Sequence, residues 1–244
     1  MPQIEPQRIC GANAVRATFL RRPDQVLRLF FTEARAEFAA PLARHLARHR
    51  APFRQVPPDE LARIAGTEHH GGVVAVTVPR LADALPDQLP AILWSAPVLP
   101  VLDGIGNPHN LGAILRSAVF LGCRAAIISA DARQADLSDA VFRTSEGAAE
   151  HIALFRTHDL AQVLRRLDGR LTTAAALPTG GVPPEAVPRG KPVALLLGNE
   201  ESGPSAAAVA ACRGGVTLPA SGPVESLNVS VAAAVLIHAL SQPG

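Results

Sequence analysis

The sequence predicts an α/β protein in two parts, a small α/β sandwich followed by a mostly parallel sheet. Three observations carry this. Over the first 80 residues, helix-like amphipathic stretches alternate with short strand-like runs. Beyond residue 97, the runs VLPVLD, AAIISA, LTTAAAL and VALLLG are apolar throughout, as strands covered on both faces must be, and each is followed by a turn or a helical segment. Between the two parts, Pro79, Pro86, Pro90 and Pro97 interrupt a Leu/Ala-rich stretch and favour extended chain. The expected organisation is therefore a first domain at 1–80, a linker at 81–97 and a second domain at 98–244.

With 244 residues, of which 48% are hydrophobic, the chain has ample material for a core. Its apolar runs fall short of the roughly 20 residues that cross a bilayer, and MPQIEPQRIC lacks the apolar run of a signal peptide, so a cytoplasmic protein without membrane association is expected. Cys10, Cys123 and Cys212 are odd in number and widely spaced, which suggests neither a disulfide framework nor a CxxC metal or redox site. The residues before Ser95 include 12 Arg against 9 acids and the rest 11 basic residues against 12 acids, a weak indication that the first part meets a polyanion.

In chain order, GANAVRATFLRR reads as a short helix, VLRLFFT as a strand, EFAAPLARHLARHR as a helix with Pro41 early in it, DELARIA as a third helix and GGVVAVTV as a closing strand. Arg44 and Arg48 share one helix face at i, i+4, as do His45 and His49, and Arg50 and Arg54 follow. This is either a phosphate-binding edge or a solvated helix end, and the lack of interleaved aromatic residues favours the latter. The pair His69-His70 has no accompanying cluster at ligand spacing, and no metal is expected as a partner of the chain.

The second part opens with a strand ending at Asp103 and runs into GIGNPHNLGAILRSAVFLG, where Asn107, His109 and Asn110 form a turn opening a helix that carries Arg116. Gly104-x-Gly106-x-x-His109 nearly imitates a dinucleotide fingerprint, but the third glycine is missing and Pro108 intrudes. In LLLGNEESGPS a buried strand ends at Gly198, which places Glu200 where α/β proteins dock ligands, as a site residue or a solvated loop carboxylate. LPASGPVESLNVSVAAAVLIHAL joins a Gly/Pro loop to polar residues Glu225, Ser226 and Asn228, which can cap the following helix. That helix reads as buried, with Val229, Val231, Ala232, Val235, Leu236 and Leu240 on one side. There is no P-loop Lys, G-x-S-x-G elbow or H-E-x-x-H pair, so hydrolase and metalloprotease chemistry have no foothold.

Taken together, NPHNLGAILRSA, GNEESG and LPASGPVESLNVSVA resemble, in order, the three motifs of the SpoU (TrmH-like) family of RNA ribose 2′-O-methyltransferases. The N-terminal stretch, with GANAV and HHGGVVAV, looks like the small ribosomal-protein-like RNA-binding domain of members acting on ribosomal RNA; His69-His70-Gly71-Gly72 departs from the His-His-Gln-Gly often found in relatives. The resemblance implies a SPOUT-type α/β domain with a deep trefoil knot near the C-terminus. It implies S-adenosylmethionine as cofactor, held by backbone groups near Gly198, Leu218 and Leu227, with Ala175 also at the site. It implies functional roles for Asn110, Arg116, Glu200, Ser226 and Asn228. The family proposal makes the counterpart of Arg116 a general base, but a guanidinium hardly ever loses its proton, so phosphate and hydroxyl positioning is the expected role. The partners implied are RNA, with rRNA ahead of tRNA, and a second copy of the chain, paired through the Arg116 helix and the C-terminal helix. Two other readings stay open: an RNA-binding module that keeps the fold without catalysis, and a nucleotide-cofactor enzyme resting on the Gly104 near-fingerprint.

Overall fold

The computed structural model describes residues 5–224 and 226–242; Glu225, named above as a capping residue, lies outside them. The chain divides into two units, one of residues 1–81 and 137–151, the other of 82–136 and 152–244. In the first unit β1 (Gln7–Cys10), β2 (Val26–Phe31), β3 (Phe53–Gln55) and β4 (Val73–Thr77) form a sheet of order β1-β4-β2-β3. β4 is antiparallel to both neighbours, while β2 and β3 run parallel. The helices α1 (Ala12–Arg21), α2 (Ala36–Arg48) and α3 (Pro58–Ala65) were expected. Strands β1 and β3 were not, because four and three residues are too short for alternation to be read. Local chemistry sets the limits of α3: Pro58 occupies its first position, and Gly66 closes it at φ 68°, donating its N–H to the carbonyl of Ala62.

The first unit also holds the segment 137–151, with α5 (Asp139–Ser145), which the sequence reading placed in the second domain. Glu150, only 5% exposed, ties it there. Arg22 donates through Nε to both carboxylate oxygens of Glu150, at 2.8 and 3.1 Å, and Thr18 donates its hydroxyl at 2.9 Å. Gly147 lies so close to α1 that a Cβ there would be 2.8 Å from Ala17 Cβ.

The second unit contains β5 (Asp83–Ala84), β6 (Val98–Asp103), β7 (Ala125–Ser129), β8 (Ala153–Thr157), β9 (Thr172–Ala176), β10 (Val193–Gly198) and β11 (Gly214–Val216). They form one sheet of order β11-β9-β10-β6-β7-β8-β5, in which every neighbouring pair is parallel. Four of these strands match the apolar runs; β5 and a 3₁₀ turn at Ala91–Trp94 instead lie in the proline-rich stretch. All residues of β6 and β10 are buried. On one face, Leu99 and Val101 meet Val163, Leu164 and Leu167 of α6 (Leu160–Leu167). α4 (Pro108–Phe120) and α8 (Val229–Ser241) pack on each other, and α8 also packs on β6 and β10. The short α7 (Ala206–Ala210) accounts for the Ala-rich tract.

The expectation for α8 needs correction. Its buried stripe is Ala233, Leu236, Ile237 and Leu240, whereas Val231 and Val235 are 47% and 43% exposed. The spacing 233-236-237-240 follows the 3.6-residue turn, while the set read from the sequence spreads over more than one face.

Candidate active site

Parallel strands deliver their carboxyl ends to one edge of the sheet, and the two central strands end in register, Gly198 opposite Asp103. Three loops are fastened to one another there. Asn199 donates its side-chain N–H to the Gly104 carbonyl at 2.9 Å, and Ser129 at the end of β7 accepts from the Gly104 N–H at 3.1 Å. The Asp103 carboxylate accepts from Ser205 N–H at 2.8 Å, so the chain after β10 is pinned back onto β6. Within that loop, Asn199 Oδ1 accepts from the N–H groups of Glu201 and Ser202 at 3.0 and 3.2 Å, a side-chain turn that sends Glu200 outward. Gly198 permits the crossing: a Cβ there would lie 1.9 Å from Pro204 N and 2.2 Å from Gly203 C.

Glu200 reaches α4 and, through it, α8. The helix α4 starts at Asn107, whose Oδ1 accepts from His109 N–H at 2.8 Å, and Asn110 occupies its first turn. Asn110 donates its amide to Glu200 Oε1 and accepts at Oδ1 from Asn228 Nδ2 at 3.2 Å. Asn228 caps α8, its Oδ1 accepting from Ser230 N–H at 2.9 Å and from the Ser230 hydroxyl at 2.6 Å. A carboxylate accepts only, which orients the Asn110 amide with nitrogen toward Glu200 and oxygen toward Asn228. The line Glu200–Asn110–Asn228–Ser230 thus joins three segments separated by 90 and 118 residues.

Of the five expected catalytic positions, then, Asn110, Glu200 and Asn228 are brought together. Arg116, six residues beyond Asn110 on the exposed side of α4, and Ser226, exposed before α8, make no hydrogen bond or ion pair among the described residues. For the cofactor positions, Ala175 is buried in β9 and paired with Leu196 and Gly215, Gly198 ends β10, and Leu218 follows β11, so three adjacent strands carry them to the same edge. Leu227 is 52% exposed just before the Asn228 cap. Among the described residues, no hydrogen bond ties the backbone of 218–227, which leaves its polar groups open to a ligand.

Arg133 was missed. It grips Asp131 with Nε and Nη2, both at 3.0 Å, and donates from Nη1 to Ser202 Oγ at 3.2 Å, bracing the Glu200 loop from the end of β7. These bonds from the Arg133 guanidinium and N–H hold the exposed Asp131 carboxyl down to about 2. The available signal was a polar D-x-R directly after a buried strand. What the edge offers chemically is a carboxylate and amides on fixed supports and, among the described residues, backbone groups without hydrogen bonds, with the Arg116 guanidinium further along α4.

Two family models match in tandem, the RNA 2′-O ribose methyltransferase substrate-binding model over residues 8–80 and the SpoU rRNA methylase family model over residues 97–238. The chain is 33% identical over 237 residues to the 23S rRNA (guanosine-2′-O-)-methyltransferase RlmB of Nitrosomonas europaea, covering 95% of this chain and 89% of the relative. It is 34% identical to the protein of the same name from Yersinia pestis, covering 94% of each. Among solved structures, the SpoU methyltransferase AviRb from Streptomyces viridochromogenes, in complex with AdoMet, superposes with a TM-score of 0.77 at 24% identity over 97% of this chain and 90% of that one. With a family model spanning most of the chain and relatives matched nearly end to end, the chain belongs to the SpoU rRNA methylase family.

Proposed function

We propose that this SpoU-family enzyme transfers a methyl group from S-adenosylmethionine to a ribose 2′-oxygen of ribosomal RNA. The observation that carries the reading is the Glu200–Asn110–Asn228 line at the carboxyl edge of the parallel sheet, beside a loop with open backbone groups. Bound there, the cofactor supplies an electrophilic methyl carbon whose sulfur leaves uncharged. The residues have the task of seating it and aligning a weakly acidic hydroxyl. Backbone groups at Gly198, Leu218 and Leu227, with Ala175 behind them, suit the first part. For the second, Glu200 and Asn228 hold Asn110 and order the loops, while Arg116 takes an RNA phosphate and the reacting hydroxyl with its bidentate fork. Ser226 is assigned to seating Arg116 or the cofactor.

Residues 1–80 are assigned to RNA capture, residues 81–97 to the linker and 98–244 to the knotted SPOUT methyltransferase domain. The knot is proposed from the resemblance to the family. A homodimer is proposed through α4 and α8, which together expose Phe120 (87%), Val231 and Val235. Two RlmB relatives are named for 23S rRNA guanosine, which makes that the first RNA to test, and a cytoplasmic location is proposed with that substrate. No helix among the described residues is long and apolar enough to cross a membrane.

The test is to incubate the purified chain with labelled S-adenosylmethionine and ribosomal RNA, then map 2′-O-methyl sites against RNA from cells lacking the protein. One restored ribose is expected, with Arg116→Ala retaining cofactor binding and losing transfer. Binding of RNA without any transfer would instead favour the non-catalytic module.

A further inference from the structure

Outside the carboxyl edge of the sheet, three metal-ligating side chains converge in the first unit. Asp24, His45 and His49 each offer a ligand atom, and these atoms all lie within 4.8 Å of one another. Their placement follows from local structure. His45 lies in the last turn of α2 and His49 is its C-terminal cap, so the i, i+4 spacing stacks the imidazoles with centroids 4.5 Å apart. His45 is half-buried and packs edge-on against Phe19 at 6.0 Å, which fixes one ring. Asp24 comes from the 3₁₀ turn Pro23–Gln25 ahead of β2. Among the described residues neither the Asp24 carboxylate nor the ring nitrogens of His45 and His49 take part in a hydrogen bond or ion pair. Three lone-pair donors from two segments thus lie within reach of one another with no hydrogen-bond or ion-pair partner among the described residues.

We propose that Asp24, His45 and His49 form a binding site for a divalent transition metal, with zinc the expected ion. Two imidazole nitrogens and one carboxylate oxygen make a borderline donor set that favours zinc, nickel and copper over magnesium or calcium, which prefer all-oxygen shells. Zinc–ligand bonds of about 2.0–2.1 Å place tetrahedral ligand atoms about 3.4 Å apart, so rotamer shifts of His49 and Asp24 complete the geometry. Both are exposed and free to make them. Three protein ligands leave one position open to water or another oxygen donor. The ion would clip the end of α2 to the turn before β2, a link within one unit that is independent of methyl transfer.

The experiment is calorimetric titration of zinc chloride into the tag-free, EDTA-treated and dialysed full-length chain, beside Asp24→Asn, His45→Ala, His49→Gln and the control His69→Ala. The expected result is one high-affinity equivalent in the parent and in His69→Ala, weakened at least tenfold in each of the three ligand variants, with zinc raising the melting temperature of the parent and of His69→Ala but not of the ligand variants. X-ray absorption should show two imidazole nitrogens on the bound ion. His49→Gln changes an exposed cap, so its far-UV circular dichroism should match the parent and exclude misfolding as the cause of lost binding. Equal zinc affinity in parent and ligand variants, loss in His69→Ala, or no binding below millimolar zinc would each overturn the proposal.

Discussion

Glu150 and Glu200 both bond to partners far away in the sequence, Thr18 and Asn110 respectively, but under opposite conditions. Glu150 is buried among Arg22, Thr18 and Arg80, with its charge balanced and its oxygens engaged by at least three hydrogen bonds. Glu200 stands exposed on a loop braced by Asn199 and Arg133, with a single bond to an amide. A carboxylate deep in the fold stabilises only while its partners remain, since an orphaned charge there is costly. One on a braced loop contributes little to folding, which leaves it free to change partners when a ligand arrives.

The largest effect is expected at the buried carboxylate. Glu150→Ala leaves Arg22 as an unbalanced buried cation and should cost about 3–5 kcal/mol in urea unfolding; a loss under about 1 kcal/mol would mean that the two glutamates are alike. Next is the backbone beneath Glu200. In Gly198→Ala the new methyl meets Pro204 N at 1.9 Å, so the loop has to move, with about 1–3 kcal/mol lost and at least tenfold weaker cofactor binding by calorimetry. Gly190→Ala, with nothing within 4 Å, is the neutral control.

Alkali tests burial that no ion pair offsets. Desolvation pushes Cys10 up to about 11 in the unit of Glu150, and Cys123 to about 12 in the unit of Glu200. Below pH 9 both states keep these protons. From there to about 11–12 the unfolded chain releases protons that the folded chain retains, so stability falls as pH rises. The urea midpoint should hold from pH 8 to 9 and drop above; a flat profile would show that the thiols are wetter than their burial implies. The smallest effect on folding is expected for Glu200→Gln, within about 0.5 kcal/mol of the parent. Methyl transfer should nevertheless fall about tenfold or more, because the amide no longer orients Asn110. An unfolding cost above about 2 kcal/mol would move Glu200 into the class of Glu150.

Much of this is legible in the amino-acid sequence. Runs such as VALLLG mark strands covered on both faces, and Asn107 and Asn228 lie at helix starts because a short polar side chain satisfies the free N–H groups there. These signals are local, set by repeats of two and 3.6 residues. Glu150 gave no such signal, since nothing in GAAEH says that Arg22 waits 128 residues away. Likewise, the stripe that α8 buries depended on which side of the helix met α4, β6 and β10. The joining of Asn110, Glu200 and Asn228 also required the strand order that sets β6 beside β10, together with the Gly198 crossing that turns the Glu200 loop back. Periodicity fixes which face of an element is apolar, but the pairing of residues a hundred positions apart belongs to the packing of the whole sheet.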